Sequence, residues 1–202
     1  MEYEQIIQHN GIITGKHIEY TFEGITILQH PDIQKYFVKI IKEFDRIIEL
    51  GTYTGAFTLF LHRIKRSDTE LISYDVDLSL CRISNYNLDL RWGNYFEEPT
   101  IIEIKELIEN KSKRVLLLCD GGYKEYEFDK FGEYLKLNDV IMVHDYQENE
   151  EEYKKITNSI DWYDIADSSW YGVLESIKKY NLSKHELYDD FKTVLWGTFI
   201  KK

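Results

Sequence analysis

Residues 46–55 read RIIELGTYTG, a short and mostly apolar run that ends at Leu50 and is followed by two glycines with three residues between them. The run Arg46–Leu50 predicts a buried strand. Gly51 predicts a tight turn, because glycine adopts backbone conformations that a Cβ atom obstructs. A helix is predicted after the turn, over 56–64. A strand, a glycine turn and a helix in this order indicate one unit of a sheet covered by helices.

The same alternation of apolar runs and amphipathic segments continues along the chain. Further strands are predicted at 71–75, 88–92, 115–119, 140–143 and 193–200, and helices at 33–40 (capped by Asp32), 99–110, 126–135 and 168–180. This order predicts an α/β fold with a doubly wound sheet. The first thirty residues predict a small hairpin or cap, added to a single domain that spans 1–202.

Composition and charge limit the classes of partner. The chain has 202 residues with 25 Lys and Arg against 36 Asp and Glu, a formal net charge of −11. Such a field repels phosphates, so we expect neither nucleic acid nor an anionic membrane surface as a partner. No apolar stretch approaches the roughly 20 residues of a membrane span. Glu2 and Glu4 stand where the basic region and apolar core of a signal peptide would begin. The two cysteines have neither metal-ligand spacing nor a disulfide framework. We therefore expect a cytoplasmic protein.

The candidate site residues fall at the carboxyl ends of the predicted strands, where open α/β sheets bind ligands. They are Glu49–Gly51, Asp75, Asp120 and His144–Asp145. The spacing of Gly51 and Gly55 differs from the G-x-G-x-x-G pattern that seats a pyrophosphate. A glutamate beside the turn favours a cationic ligand without phosphate.

Asp75 and Asn94, which follow the glycine turn in the sequence, suggest that the ligand is a nucleoside. Asp75 ends the second predicted strand, where a carboxylate can accept hydrogen bonds from ribose hydroxyls. Asn94 follows the third strand, where an adenine ring would lie, and it is either an adenine contact or a simple turn residue.

These residues also resemble a known family. Residues 49–55 followed by Asp75 resemble motifs I and II of the class I S-adenosylmethionine (SAM)-dependent methyltransferases. More narrowly, QHPD at 29–32, CDGG at 119–122 and VHDY at 143–146 are similar to the cephalosporin hydroxylase and rhamnosyl O-methyltransferase group. The resemblance covers about residues 24–146.

The resemblance implies a Rossmann-like sheet of about seven strands whose last strand is antiparallel. It implies that Glu49 and Gly51 hold the amino-acid part of SAM and that Asp75 holds the ribose. The full set expected to bind the cofactor is Glu49, Gly51, Thr52, Gly55, Asp75, Asn94 and Asp120. Family members often self-associate, so a homo-oligomer is compatible with the resemblance, whereas the residues by themselves leave the oligomeric state open.

Asp120, His144 and Asp145 are the expected catalytic residues, with two interpretations. The resemblance implies three acidic ligands for a divalent metal such as Mg²⁺; Asp120 and Asp145 match two of them, and His144 stands at the third position. In one interpretation the metal binds, with or without His144, and lowers the pKa of an acceptor hydroxyl. In the other, no metal binds and His144 is a general base. The loss of one hard oxygen ligand favours the second.

The sequence therefore predicts a SAM-dependent methyltransferase that acts on a hydroxyl of a small molecule or glycan. Two alternatives remain, a nicotinamide-dependent oxidoreductase and a non-catalytic module that binds SAM. Four aromatic residues between the fifth and last strands are candidates for the acceptor pocket or for core packing: Trp162, Tyr163, Trp170 and Tyr171.

Overall fold

The structure of the protein is a computed structural model that describes residues 8–14, 17–149, 151 and 170–202. At 8–14, 17–19, 170 and 171 it describes the backbone but not the side chains. Trp162, Tyr163 and the predicted helix start at 168 lie outside the described residues, as do the side chains of Trp170 and Tyr171. Among the described residues, no helix is long and apolar enough to cross a membrane.

Ten strands are described. They are β1 Gln8–Thr14, β2 His17–Phe22, β3 Ile25–Ile27, β4 Arg46–Leu50, β5 Glu70–Asp75, β6 Asp89–Trp92, β7 Val115–Cys119, β8 Val140–His144, β9 Leu182–Lys184 and β10 Trp196–Lys201. The described α-helices are α1 Gln34–Ile40, α2 Ala56–Ile64, α3 Thr100–Glu109, α4 Lys124–Gly132, α5 Trp170–Lys179 and α6 Tyr188–Lys192, with 3-10 turns at Pro31–Ile33, Ile41–Glu43 and Leu78–Leu80.

Seven strands form the central sheet in the order β6-β5-β4-β7-β8-β10-β9. The first five strands pair in parallel, and β10 runs antiparallel to both β8 and β9. The strand order reverses between β4 and β7, and Leu50 lies level with Cys119 of β7. A crevice is expected outside the carboxyl ends at such a reversal. The predicted doubly wound sheet with an antiparallel last strand is confirmed.

The central strands are buried throughout, which is why their apolar runs predicted them well. Every residue of β4, β7 and β8 is buried. One face of the sheet packs on α1 and α2 through an aromatic group that includes Phe37, Phe57 and Trp196. The other face packs on α3 and α4.

Several element boundaries differ from the prediction. Strand β9 was not predicted, because three residues are too few to show a period of two. The last strand begins at Trp196 and not at 193, since Thr193 closes α6 and Leu195 has a positive φ of 66°. His30, and not Asp32, caps the first helical turn, with Nδ1 accepting from the Asp32 amide at 3.2 Å. Helix α4 begins at Lys124, two residues earlier than predicted.

The N-terminal residues form a three-stranded antiparallel sheet, β1-β2-β3, which extends the predicted hairpin by one strand. Phe22 and Ile27 are buried in the core formed by α1 and α2, and Phe22 meets Phe60 edge to face at 5.7 Å. This sheet therefore shares the core of the central sheet. The extent of a single domain over 1–202 stays a prediction.

Candidate functional site

A cavity of about 390 Å³ opens at the carboxyl ends of β4, β5, β7 and β8. Six of the predicted site residues line it: Gly51, Thr52, Asp75, Asp120, His144 and Asp145. Glu49, Gly55 and Asn94 are not among its lining residues. The strand order brings most of the predicted site to one place, because parallel strands present their carboxyl ends at the same edge.

Glu49 is fully buried at the end of β4. The Thr58 hydroxyl donates to its Oε2 at 2.6 Å, whereas Oε1 is buried without a hydrogen-bond partner in the described part of the chain. Burial raises the pKa of Glu49 to about 8, against the opposing effect of the Ser73 and Thr58 hydroxyls. An unsatisfied buried carboxylate oxygen costs free energy, so Glu49 is not explained by its contacts within the described residues.

The two glycines of the turn have positive φ, 102° at Gly51 and 85° at Gly55, which favours glycine. A Cβ at Gly51 would lie 2.7 Å from the carbonyl carbon of Asp120. The chain that leaves β7 therefore approaches the backbone of Gly51 closely. Gly55 precedes α2, and a Cβ there would collide with the side chain of Ile83.

Asp75 lies at the cavity and orders the turn. Its Oδ2 accepts from the backbone amide of Tyr53 at 2.8 Å, and its Oδ1 accepts from the amide of Asp77 at 2.9 Å. Each carboxylate oxygen has a second lone pair, so Asp75 can accept further hydrogen bonds from a diol. Thr52 bonds through its hydroxyl to Ser73 at 2.6 Å, which joins the turn to β5.

Asn94 serves a turn: its Oδ1 accepts from the amide of Phe96 at 3.0 Å. The prediction that Asn94 contacts adenine therefore gains no support from the geometry. Its neighbour Tyr95 lines the cavity instead and packs against Phe96 at 4.8 Å between ring centroids. The sequence contained no signal that separated Tyr95 from the many other tyrosines.

Asp120, His144 and Asp145 meet at the ends of β7 and β8. His144 Nδ1 lies 2.8 Å from Asp120 Oδ1 and 3.6 Å from Asp145 Oδ1. Burial alone lowers the pKa of His144, but the Asp145 and Asp120 carboxylates together outweigh it and raise that pKa above its ordinary value. The His144 ring also packs against Trp196, with centroids 4.8 Å apart.

Two further residues complete this cluster and were not predicted as site residues. Lys124 Nζ lies 3.1 Å from Asp145 Oδ2, and Gln29 Nε2 donates to Asp120 Oδ2 at 2.7 Å. Gln29 Oε1 accepts from the Trp196 indole at 2.9 Å. Gln29 belongs to the motif at 29–32, but the sequence indicated no role for its side chain. Lys124 was not predicted as a site residue because the helix was predicted to begin after it.

The acidic cluster does not fit a divalent metal. The described residues contain no group of three or more His, Cys, Asp or Glu side chains that could hold one. Asp145 faces the Lys124 ammonium, and Asp120 accepts from His144 and Gln29. Mg²⁺ requires several oxygen ligands at short distances, whereas both Asp120 oxygens are at hydrogen-bond distance from nitrogen donors and Asp145 is paired with an ammonium.

Comparisons with known proteins agree with the fold. No protein-family model matches the chain, and no curated protein matches it. A Mg–SAM structure of CmcI is 22% identical, with a TM-score of 0.63, over 91% of this chain and 76% of that one. The Bacillus cereus O-methyltransferase in complex with SAH (S-adenosylhomocysteine) is 14% identical, with a TM-score of 0.52, over 86% and 82%. The chain has the class I methyltransferase fold.

Proposed function

We propose that this protein is a SAM-dependent methyltransferase that acts on a hydroxyl group of a small molecule or glycan. The observation that carries the proposal is the Glu49 carboxylate, which is buried under a glycine turn with one oxygen lacking a partner in the described residues. Asp75, which lines the cavity beside this turn, supplies the acceptor for a ribose. The solved structures of CmcI and of the Bacillus cereus enzyme, which share the fold, contain SAM or SAH.

The residues of the turn hold the cofactor by charge and shape. Glu49 Oε1 accepts from the ammonium group of SAM, and the bound cation lowers the pKa of this carboxyl and stabilises its ionised form. Asp75 accepts from the ribose hydroxyls through the lone pairs that the Tyr53 and Asp77 amides leave unused. Gly51 keeps the chain after β7 close to the turn and so shapes the cavity.

His144 and Asp120 prepare the acceptor. Bound SAM supplies a methyl group on a sulfonium, which is already a good leaving group. The acceptor oxygen forms its bond to the methyl carbon as the carbon–sulfur bond breaks, and that electron pair stays on sulfur. The hydroxyl proton passes to His144, whose Nδ1 is oriented by Asp120 at 2.8 Å. This division of roles follows the general-base interpretation of His144.

The pH dependence of turnover follows from this role. His144 acts as a base only when it is neutral, and its pKa lies above the ordinary value. We therefore expect turnover to rise with pH through that pKa and to level off above it.

Binding experiments test the cofactor. Isothermal titration calorimetry with SAH and, separately, with NAD should show binding of SAH alone. Binding of NAD without SAH would replace the proposal with a nicotinamide-dependent oxidoreductase.

A turnover experiment then separates an enzyme from a binding module. Methyl-labelled SAM is incubated with a panel of hydroxyl-bearing small molecules and glycans, using the wild-type protein, His144→Gln and the remote control His62→Gln. We expect label transfer to fall in His144→Gln by about a hundredfold, as for loss of a general base, and to persist in His62→Gln. Equal transfer in all three proteins would contradict the role of His144.

A further inference from the structure

A buried cation lies among the carboxylates of the site. Lys124 Nζ is 3.1 Å from Asp145 Oδ2, with side chains only 11% and 8% exposed. The ion pair with this carboxylate stabilises the ammonium form of Lys124. Lys124 also lines the cavity. Its charge is therefore available to a molecule bound there.

Both oxygens of Asp120 lie within hydrogen-bond distance of nitrogen donors, whereas Asp145 is held by charge: its Oδ2 is paired with Lys124 but makes no hydrogen bond of good geometry among the described residues. In Asp120, Oδ1 lies 2.8 Å from His144 Nδ1 and Oδ2 accepts from Gln29 at 2.7 Å. In Asp145, Oδ1 lies 3.6 Å from His144 Nδ1 and Oδ2 faces Lys124. Groups of the chain itself therefore offset part of the negative charge.

The position of Lys124 in the fold is electrostatically unfavourable for a cation. Lys124 is the first residue of α4, where the positive end of the helix dipole disfavours a cation by about 0.3–1 kcal/mol. The loop before it is held by buried Glu127, which accepts from the amides of Gly121 at 3.2 Å and Tyr123 at 3.4 Å. The carboxylates of the cluster compensate for the position of the ammonium, and the anchored loop directs it to the cavity.

We propose that the Lys124 ammonium takes the place of a divalent cation in this site. It pairs with Asp145, offsets part of the charge of the cluster, donates a hydrogen bond to the acceptor oxygen as negative charge develops there, and stays an ammonium throughout. The site then works without a metal. This inference rests on the proposed function for the acceptor contact, whereas the exclusion of a metal depends only on the cluster.

Metal binding is measured directly, by electron paramagnetic resonance of Mn²⁺ titrated into the purified protein. We expect weak binding or none in the wild type. Lys124→Ala should strengthen binding by at least about tenfold, or about 1.4 kcal/mol, and Lys124→Ala with His144→Glu should strengthen it further. Lys124→Arg keeps the charge and should exclude Mn²⁺ as the wild type does. Lys130→Ala, on the same helix outside the cavity, is the matched control.

Tight Mn²⁺ binding by the wild type would overturn the inference, as would an unchanged affinity in the variants. Lys124→Gln replaces Lys124→Ala if circular dichroism shows that the latter does not fold. The wild-type titration decides the exclusion of metal in either case.

Activity supplies a second, separable readout. Turnover by the wild type should persist in the presence of EDTA. Lys124→Gln should lower kcat by at least about tenfold, which is the effect expected when one preorganised hydrogen-bond donor is lost. Its affinity for SAH should be nearly unchanged. Loss of turnover in EDTA that Mg²⁺ restores would overturn the inference and leave the proposed function standing. Absence of SAH binding would overturn the proposed function, while the Mn²⁺ titrations still decide whether the ammonium excludes a metal.

Discussion

Glu49 is the residue whose position is hardest to explain by stability alone. Its side chain is wholly buried, and one of its carboxylate oxygens has no hydrogen-bond partner among the residues described. Burial of a charge without full compensation is unfavourable, and this raises the pKa of the Glu49 carboxyl to about 8, which favours its protonated form at neutral pH. A residue of this kind fits a site that becomes complete when a cation binds.

The pH dependence of stability follows from the same value. The folded-state pKa of Glu49, about 8, lies above its ordinary value of 4.5, so the folded state holds the proton more tightly than the unfolded state. The resulting stabilisation is fully present below pH 4.5 and is lost progressively as the pH rises to about 8. Glu49→Gln removes this dependence. Its free energy of unfolding should exceed that of the wild type by a few kcal/mol at pH 8 and approach it at low pH.

Urea denaturation at several pH values measures this difference. The exposed Glu106→Gln is the control, since its amide replaces a solvated carboxylate. Parallel pH profiles for Glu49→Gln and the wild type would contradict the burial argument. Despite its higher stability, Glu49→Gln should bind SAH at least about tenfold more weakly, because it lacks a charge-assisted hydrogen bond.

Gly51 gives a steric prediction. Gly51→Ala places a Cβ 2.7 Å from the carbonyl carbon of Asp120 at a φ of 102°. We expect a loss of about 1–3 kcal/mol in the free energy of unfolding, with weakened SAH binding because the turn must move. Gly122→Ala is the matched stability control, since its Cβ meets nothing within 4 Å. Equal unfolding midpoints for the two variants would show that the turn accommodates the methyl group.

At the scale of elements, the antiparallel last strand is tied to the site by one side chain. Strand β10 begins at Trp196, whose indole donates to Gln29 at 2.9 Å, and Gln29 in turn donates to Asp120 after β7. Gln29 itself lies between β3 and α1. One buried amide therefore connects the N-terminal sheet, β10 and the end of β7.

Gln29→Leu should leave the Trp196 indole N–H and one Asp120 oxygen without this partner. We expect a loss of about 1–3 kcal/mol, as for a buried polar group left unsatisfied. Trp196→Phe removes the donor, so the double variant should lose less than the sum of the two single losses. Chemical denaturation of the four proteins measures the coupling. Strict additivity would mean that the two residues stabilise the fold independently.

At the scale of the whole molecule, net charge limits the partners. The formal charge of −11 comes from acidic residues spread along the chain. Only 25 basic side chains are present, and most described arginines are engaged with carboxylates, such as Arg66 with Asp45 and Arg91 with Asp89. These pairings occupy arginine side chains that could otherwise contact phosphates.

We therefore expect no measurable affinity for duplex DNA at physiological salt. An electrophoretic mobility shift assay tests this over a range of salt concentrations. Binding at physiological salt that weakens steeply as salt is raised would contradict the prediction, since that dependence marks phosphate contacts.

The sequence by itself determined the central fold and the edge of the sheet where the site lies. Strands β4, β7 and β8 are buried along their whole length, so their apolar runs are distinct. Each leads directly into cavity-lining residues, Gly51 after β4, Asp120 after β7 and His144 at the end of β8. The sequence predicted the turn at Gly51 for a similar reason, because few residues other than glycine adopt a φ of 102°. These are local constraints, which act within a few residues.

Only the tertiary structure decided the charge balance of the site. Gln29, Lys124 and Asp145 are far apart in the sequence, and their contacts depend on how β3, α4 and β8 pack around the sheet. Asn94 illustrates the converse, because its side chain serves a local turn although its position suggested a ligand. The choice between metal and ammonium could not be read from the residues alone, since it depends on distances between side chains that no local pattern encodes.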